Sequence, residues 1–308
     1  MINDARAILQ HVPFLKGKAL VITELGGGLT NRIYKVDDIN ESFVLRVFGE
    51  GTNLLGIDRE RELACSKAVA ASKLGAEVLA YLPELNPRPF EAFCGALLLR
   101  FLPGQLLKEE QVQNPEILRR IGTTLRLCHA APIDDKVGTF SVFRTISKYL
   151  DQAREFKVSL PAELGEALMF LHRIESELGA DEPFCLCHND LLAGNFVDDD
   201  KTLRVIDWEY GGRGNRFFDL GNFAASLQLT DEQESVLLQA YFGEVRPEHV
   251  RRLKLMRLAS DLRESSWGYL QSAVSTVKPA KYYLDYGAKH LMRFLLGARQ
   301  AGLALKNQ

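Results

Sequence analysis

The sequence predicts an α+β protein of two lobes, a small one built on an antiparallel sheet and a larger, mainly helical one that carries a polar hairpin. Three observations predict this order. Residues 19–48 alternate apolar and polar side chains between turn residues, the period of strands. Beyond residue 103 the apolar residues recur mostly at helical spacing. Two short apolar runs, near 184–187 and 203–206, bracket the polar stretch "HNDLLAGN" at 188–195. A chain of 308 residues is long enough for a core in each lobe.

In order, "ALVITEL", "RIYKV" and "FVLRVF" read as three strands of a meander, with the Gly-rich turn "GGGLTN" (Gly26–Asn31) between the first two. "DRERELACSKAVAASKL" (58–74) reads as a helix capped by Asp58, with Glu60 and Glu62 in its first turn and Gly75 at its end. Strands follow at 77–82 and 94–102, joined by the Pro-rich "PELNPRPF". "LPGQ" at 102–105 interrupts the pattern and divides the chain into lobes 1–102 and 103–308. In the second lobe "NPEILRRIGTTLRLCHAA" aligns Ile117, Ile121, Leu125 and Cys128 on one stripe. Residues 141–156 and 161–178 read as two more helices, and helices resume at about Asp219. No internal repeat is present.

Composition excludes several classes. With 38 basic against 40 acidic residues and a net charge of −2, the chain lacks the basic excess of a general nucleic-acid binder. The five cysteines are odd in number and form no C-x-x-C pair, which predicts buried thiols in a reducing cytoplasm, without disulfides or zinc. Cys185 and Cys187 should share one side of a strand. The longest apolar run, Phe93–Leu102, is broken by Arg100 and is too short for a membrane span. The early Asp4 and the lack of an apolar core behind it predict no signal peptide.

The polar hairpin carries the chemistry. Asp190 lies in the turn after an apolar run, Asn195 sits where a short loop can fold back beside it, and Asp207 ends the next run. Phosphoryl transfer uses such a set: one carboxylate accepts the proton of the attacking hydroxyl, while an amide oxygen and a second carboxylate hold Mg²⁺, a cation that prefers oxygen ligands. His188 orients the loop backbone. A lone Asp–Asn pair at this spacing would read as turn capping, but four polar residues at these positions point to the site.

"CHNDLLAGNF" followed by "VIDWEYGGRGNRFFDLGNFA" resembles the choline/ethanolamine kinase family, within the wider aminoglycoside-phosphotransferase and protein-kinase-like group. "GGLTN" with "FVLRVFG" resembles the family's N-terminal lobe, and "SSWGYLQSAVS" with "YYLDYGAKHLMRF" its C-terminal helices. Glu264 stands near a second tryptophan of eukaryotic members, and Leu191 and Leu192 are apolar where those are more polar, so the bacterial branch is closer. The resemblance implies a two-lobed protein-kinase-like fold. It implies ATP and Mg²⁺ as cofactors, with nucleotide binding in 1–102 and catalysis and substrate binding in 103–308.

By position, Asp190 resembles the catalytic base, Asn195 and Asp207 the Mg²⁺ ligands, and Asp219 a structural aspartate tying the loop to the helical lobe. Glu209 touches a second metal or forms a structural salt bridge. The turn residues Gly27, Gly28, Leu29, Thr30 and Asn31 would lie over the nucleotide, since glycines let backbone N–H groups approach phosphate oxygens. Arg46 is the strand cation for the phosphates, or else a solvent-facing arginine. Glu62 is placed to pair with it, with Glu60 as competitor. "LLLRFLPG" (97–104) resembles the link whose backbone meets adenine, with Arg100 facing outward.

For the substrate, Trp267, Tyr283 and Tyr286 offer aromatic faces to a quaternary ammonium, with Glu264 as the nearby carboxylate. The alternative is an aromatic core between helices. The expected substrate is a cationic amino alcohol, choline or ethanolamine; thiamine, an aminoglycoside or homoserine are alternatives, as is a non-catalytic binding module of this fold. Only residues 208–218 separate Asp207 from Asp219, too few for a peptide-docking segment.

Overall fold

The computed structural model describes residues 2–26, 30–86, 88–91, 93–179 and 184–303. Five strands form one antiparallel sheet: β1 (Val21–Leu25), β2 (Asn31–Asp37), β3 (Ser42–Phe48), β4 (Val78–Leu82) and β5 (Ala96–Arg100), in the order β1-β2-β3-β5-β4. Along β3 the side chains alternate between faces. Phe43, Leu45 and Val47 enter a core with Tyr34, Val36 and Leu98, so Arg46 is carried on the opposite face. α1 (Ile2–Leu9) closes that core with Ala5, Ile8 and Leu9. α1 lies ahead of the first element that the sequence pattern predicts, at residue 19, and its eight residues are too short a run to announce a helix by periodicity.

α2 (Arg59–Ala71) starts where Asp58 predicts, the aspartate accepting hydrogen bonds from the backbone N–H groups of Glu60 (3.0 Å) and Arg61 (3.1 Å). It packs beside the sheet and presents Glu62 to the Arg46 face. Gly49, at the end of β3, is bonded through its N–H to Thr30 O at 2.9 Å, and a Cβ there would meet that oxygen at 2.3 Å. The described end of the Gly-rich turn is therefore strapped to the strand that carries Arg46.

The rest is mainly helical: α3 (Glu109–Val112), α4 (Pro115–His129), α5 (Val142–Glu155), α6 (Leu164–Leu178), α7 (Arg216–Ser226), α8 (Asp231–Phe242), α9 (Pro247–Val274) and α10 (Ala280–Gln300). A second core runs from Leu118, Ile121 and Leu125 of α4 through Phe170 and Ile174 of α6 to Phe223 of α7 and Leu262 of α9. α9 is its axis, packed against α5, α6, α7 and α10. No helix among the described residues is long and apolar enough to cross a membrane.

The polar hairpin differs in pairing from the sequence reading. The runs near 184–187 and 203–206 form β7 (Cys185–Cys187) and β9 (Leu203–Val205), but they do not pair with each other. β7 pairs with β10 (Gly212–Gly214), while β9 pairs with β8 (Phe196–Asp198), which also pairs with β6 (Gln105–Leu106). Three-residue strands carry too little periodicity to specify partners. Of the thiols, Cys65, Cys128, Cys185 and Cys187 are buried as expected and Cys94 is exposed. Cys185 and Cys187 share one side of β7, their sulfurs 3.5 Å apart.

Close approach of α7 to α9 depends on Gly221: a Cβ there would lie 2.6 Å from Arg257 N and 2.7 Å from Met256 C, both backbone atoms. Alanine gains helix propensity of at most about 1 kcal/mol, and the overlap with backbone outweighs it. Gly221→Ala is expected to destabilise the protein by about 1–3 kcal/mol, read as a lower urea midpoint with an unchanged slope.

Candidate active site

The chain leaves β7 and turns at Asn189, whose φ of 65° is left-handed. The turn is held by α7. Asp219 accepts the backbone N–H groups of His188 and Asn189, each at 2.7 Å, and Asn222 Oδ1 accepts that of Leu191 at 2.6 Å. His188 Nε2 faces Ile206 O at 2.9 Å and Nδ1 accepts the Asp190 N–H at 3.3 Å. The carbonyl requires the proton on Nε2, so the ring joins the two sides of the hairpin. Asn195 Nδ2 donates to Asp190 O at 2.9 Å, and Ile206 N donates to Asn195 O at 2.9 Å. Asp190, Asn195 and Asp207 thus lie along one chain of hydrogen bonds and adjacent residues. Asp207 is left-handed as well, at φ 69°, a backbone state that an ordinary side chain occupies only at some cost.

Across the cleft stands Arg46. Its NH1 meets Glu62 Oε1 at 2.9 Å and its NH2 meets Asp207 Oδ1 at 2.7 Å and Glu209 Oε2 at 3.6 Å. Glu62, not Glu60, is its helical partner and is buried. Arg59 joins the cluster, 2.6 Å from Glu62 Oε2 and 3.4 Å from Glu209 Oε2, with its guanidinium over the Phe48 ring. Burial alone would depress the Arg46 pKa, but the charges of Asp207, Glu62 and Glu209 more than offset it.

Glu209 is a salt-bridging and loop-holding residue. Thr30 Oγ1 donates to its two oxygens at 2.8 and 3.0 Å, and Asn31 Nδ2 donates to Oε2 at 2.8 Å. Burial, with the Asp207 charge beside it, pushes its carboxyl up to about 7. The side chains of Thr30 and Asn31 are therefore bound to Glu209, and Asn31 Oδ1 also accepts from Arg59 NH2 at 3.1 Å. Gly27, Gly28 and Leu29 lie outside the described residues.

On the far side of Asp190, α9 and α10 supply Glu264, Trp267, Tyr283 and Tyr286. Trp267 lies edge-on to both tyrosines, with centroids 5.7 Å apart in each case. Tyr283 corrects the expectation: it is 1 % exposed and its hydroxyl pairs with Ser275 at 2.8 Å, so its ring is core and offers no face to a ligand. Trp267 and Tyr286 are half-buried, and the Tyr286 hydroxyl donates to Glu264 Oε2 at 2.7 Å.

Residues 22–236 match the sequence profile of Choline/ethanolamine kinase. The chain belongs to the choline/ethanolamine kinase family. A probable ethanolamine kinase of Arabidopsis thaliana is 26 % identical over 291 residues, covering 83 % of this chain and 74 % of that protein. The crystal structure of a choline/ethanolamine kinase family protein from Mesorhizobium loti superposes with a TM-score of 0.78 at 27 % identity, covering 98 % of this chain and 99 % of that one. A spectinomycin phosphotransferase shares the fold, with a TM-score of 0.64 at 14 % identity over 94 % of this chain and 98 % of that one. The choline/ethanolamine kinase fold is thus the protein-kinase-like α+β fold, and the chain is a small-molecule kinase. A kinase draws its phosphoryl group from ATP.

The residues fit a hard cation. Asn195 spends its amide N–H on Asp190 O, and its Oδ1 has no hydrogen-bond partner among the described residues. The Asp207 side chain is 39 % exposed and Arg46 engages only Oδ1. Two uncommitted oxygens, from an amide and a carboxylate, form the donor set Mg²⁺ prefers.

Four residues of this choline/ethanolamine kinase site escaped the sequence reading: Arg59, Asn222, Arg263 and His129. Arg59 precedes Glu62 by one helical turn, a spacing that could have signalled it. The others act across long sequence separations. His129, at the end of α4, is buried between Asp219 Oδ2 (2.9 Å) and the Tyr241 hydroxyl (2.6 Å). Burial works against its charge and is the largest single effect, but the hydrogen bond to Asp219 together with the charges of Cys185 and Asp219 outweighs it and raises its pKa above the ordinary value. A histidine raised in the folded state contributes stability that is complete below the unfolded value, about 6.5, and lost as pH rises through the folded one. Urea unfolding is therefore expected to show a falling midpoint as pH rises above that value, with His129→Gln flattening the decline.

Proposed function

We propose that the protein transfers the terminal phosphoryl group of ATP, with Mg²⁺, to the hydroxyl of a small amino alcohol, choline or ethanolamine. One arrangement carries this reading: Asp190, Asn195 and Asp207 joined through the hairpin, with Arg46 on Asp207 from the opposite side of the cleft. Residues 1–102 form the nucleotide-binding lobe and residues 103–308 the catalytic and substrate-binding lobe. The family match and the family's named relatives support the substrate class.

Arg46, held by Glu62, grips the phosphates, and the backbone of the Gly-rich turn covers them. Asn195 and Asp207 would hold Mg²⁺, which when bound would neutralise phosphate charge. Asp190 orients the alcohol. Its oxygen attacks the terminal phosphorus as the bond from that phosphorus to the ADP oxygen breaks, and its proton passes to Asp190. Arg263 engages Asp190 Oδ1 at 2.9 Å, which leaves Oδ2 for that proton. The protein's contribution is positioning and charge placement.

ADP release is to be followed across choline, ethanolamine, thiamine, homoserine and aminoglycosides. Turnover is expected with the first two; turnover only with the others would replace the substrate class, and none with any would leave a binding module. Asp190→Ala is expected to lower kcat by about 10²–10⁴-fold while ATP affinity, measured by calorimetry, stays within a few-fold. Undiminished kcat would remove Asp190 from its role.

A further inference from the structure

Among the described residues Arg263 heads the largest fully buried side chains, with 2 % of its side chain exposed. One of its nitrogens, NH1, meets Asp190 Oδ1 at 2.9 Å and Glu264 Oε1 at 2.8 Å. Its guanidinium carbon lies 4.8 Å from the Tyr210 ring centroid. Burying a guanidinium opposes folding unless carboxylates compensate it, and here two do. They remain accessible while the cation does not: the side chains of Asp190 and Glu264 are 30 % and 22 % exposed.

We propose that Arg263 clamps Asp190 and Glu264 into a two-point receptor for an alcohol whose protonated amine still carries N–H donors, Asp190 taking the hydroxyl and Glu264 the ammonium. The inference rests on the amino-alcohol kinase reading and narrows it. Two oxygens on one nitrogen lie within about 6 Å of each other at hydrogen-bond lengths. The heteroatoms of a two-carbon amino alcohol, each one hydrogen bond away, span such a gap. Glu264 accepts one bond at each oxygen, from Arg263 and from the Tyr286 hydroxyl, and a carboxylate has lone pairs for more. Two carboxylates against one guanidinium leave one negative charge for the ammonium. Glu264 is here a specificity-determining residue and Arg263 a positioning residue.

The aromatic residues favour this over a cage for a quaternary ammonium. Such a cage needs several open ring faces. Tyr283 is core, and the Tyr286 ring packs between Trp267, at 5.7 Å, and His290, at 4.4 Å, centroid to centroid. Of the three expected aromatic residues, that leaves Trp267 and at most part of the half-buried Tyr286 ring. A trimethylammonium group has no N–H to donate, and its methyl groups would hold its charge away from Glu264.

The test is kcat/KM by ADP release for ethanolamine and its N-methyl, N,N-dimethyl and N,N,N-trimethyl derivatives, the last being choline. The wild-type value is expected to drop at least tenfold between the dimethyl and trimethyl compounds, where the last N–H disappears. Glu264→Gln is expected to reduce the ethanolamine-to-choline ratio of kcat/KM at least tenfold, mainly through KM for ethanolamine. Arg263→Lys is expected to lower kcat for every acceptor, with its fold checked by thermal unfolding. Equal or better use of choline by the wild type would overturn the receptor while leaving the kinase reading intact, as would an unchanged ratio in Glu264→Gln. Failure of every amino alcohol with ATP would remove the amino-alcohol kinase reading and the receptor with it. The methylation series needs no variant, so a misfolded mutant does not block the outcome.

Discussion

The cleft is organised by a cluster of five charges, Arg46 from β3, Arg59 and Glu62 from α2, and Asp207 and Glu209 from the segment after β9, of which Arg46, Glu62 and Glu209 are buried. Each ion taken from water loses several kcal/mol of hydration, and mutual contact at hydrogen-bond distance offsets that loss. The members therefore depend on one another. Removing one strands its partners, a change that costs about 3–5 kcal/mol in buried pairs. Because the carboxylates come from both sides of the cleft, the same interactions that neutralise the cluster also hold the two sides in register. The three carboxylates outnumber the two guanidiniums, but with the Glu209 carboxyl pushed up to about 7 by burial and the Asp207 charge the excess near neutral pH is less than one full negative charge.

The polar loop is built on a different principle. Its backbone is fixed by acceptors from α7, Asp219 and Asn222, and by His188 bridging to Ile206. The left-handed residues Asn189 and Asp207 sit at the two ends of this frame. Asn and Asp enter this region more readily than other side chains, and here the surrounding hydrogen bonds hold them in it. The consequence is that Asp190 and Asp207 are positioned from behind, through their backbones, while their carboxylates stay partly open to the cleft. Rigidity and reactivity are assigned to different atoms of the same residues.

Much of this was legible locally. The three-strand meander follows from alternation between turn residues, α2 from a capping aspartate, and the hairpin residues from their spacing. The family resemblance implied an acid on α2 for Arg46 and left Glu60 and Glu62 as candidates; only the packing of α2 on the sheet selects Glu62. The pairing of β7 with β10 was not readable, because strands of three residues have no pattern that selects a neighbour. Tyr283 fits either a ligand face or an aromatic core in sequence and is core in the structure, since an aromatic residue in an amphipathic helix carries no mark of which neighbour covers it.

The sequence by itself determined which residues stand within a few positions of one another, and so the strands, the helix caps and the order Asp190, Asn195, Asp207. Short-range periodicity and turn chemistry are properties of neighbours along the chain, and they survive in one dimension. Only the tertiary structure decided that Arg263 reaches Asp190, that Glu209 receives Thr30 and Asn31, and that His129 shares Asp219 with the loop. Those contacts join residues far apart in sequence. Whether a buried charge finds its partner depends on how helices and sheet pack, a three-dimensional fact that no local pattern encodes.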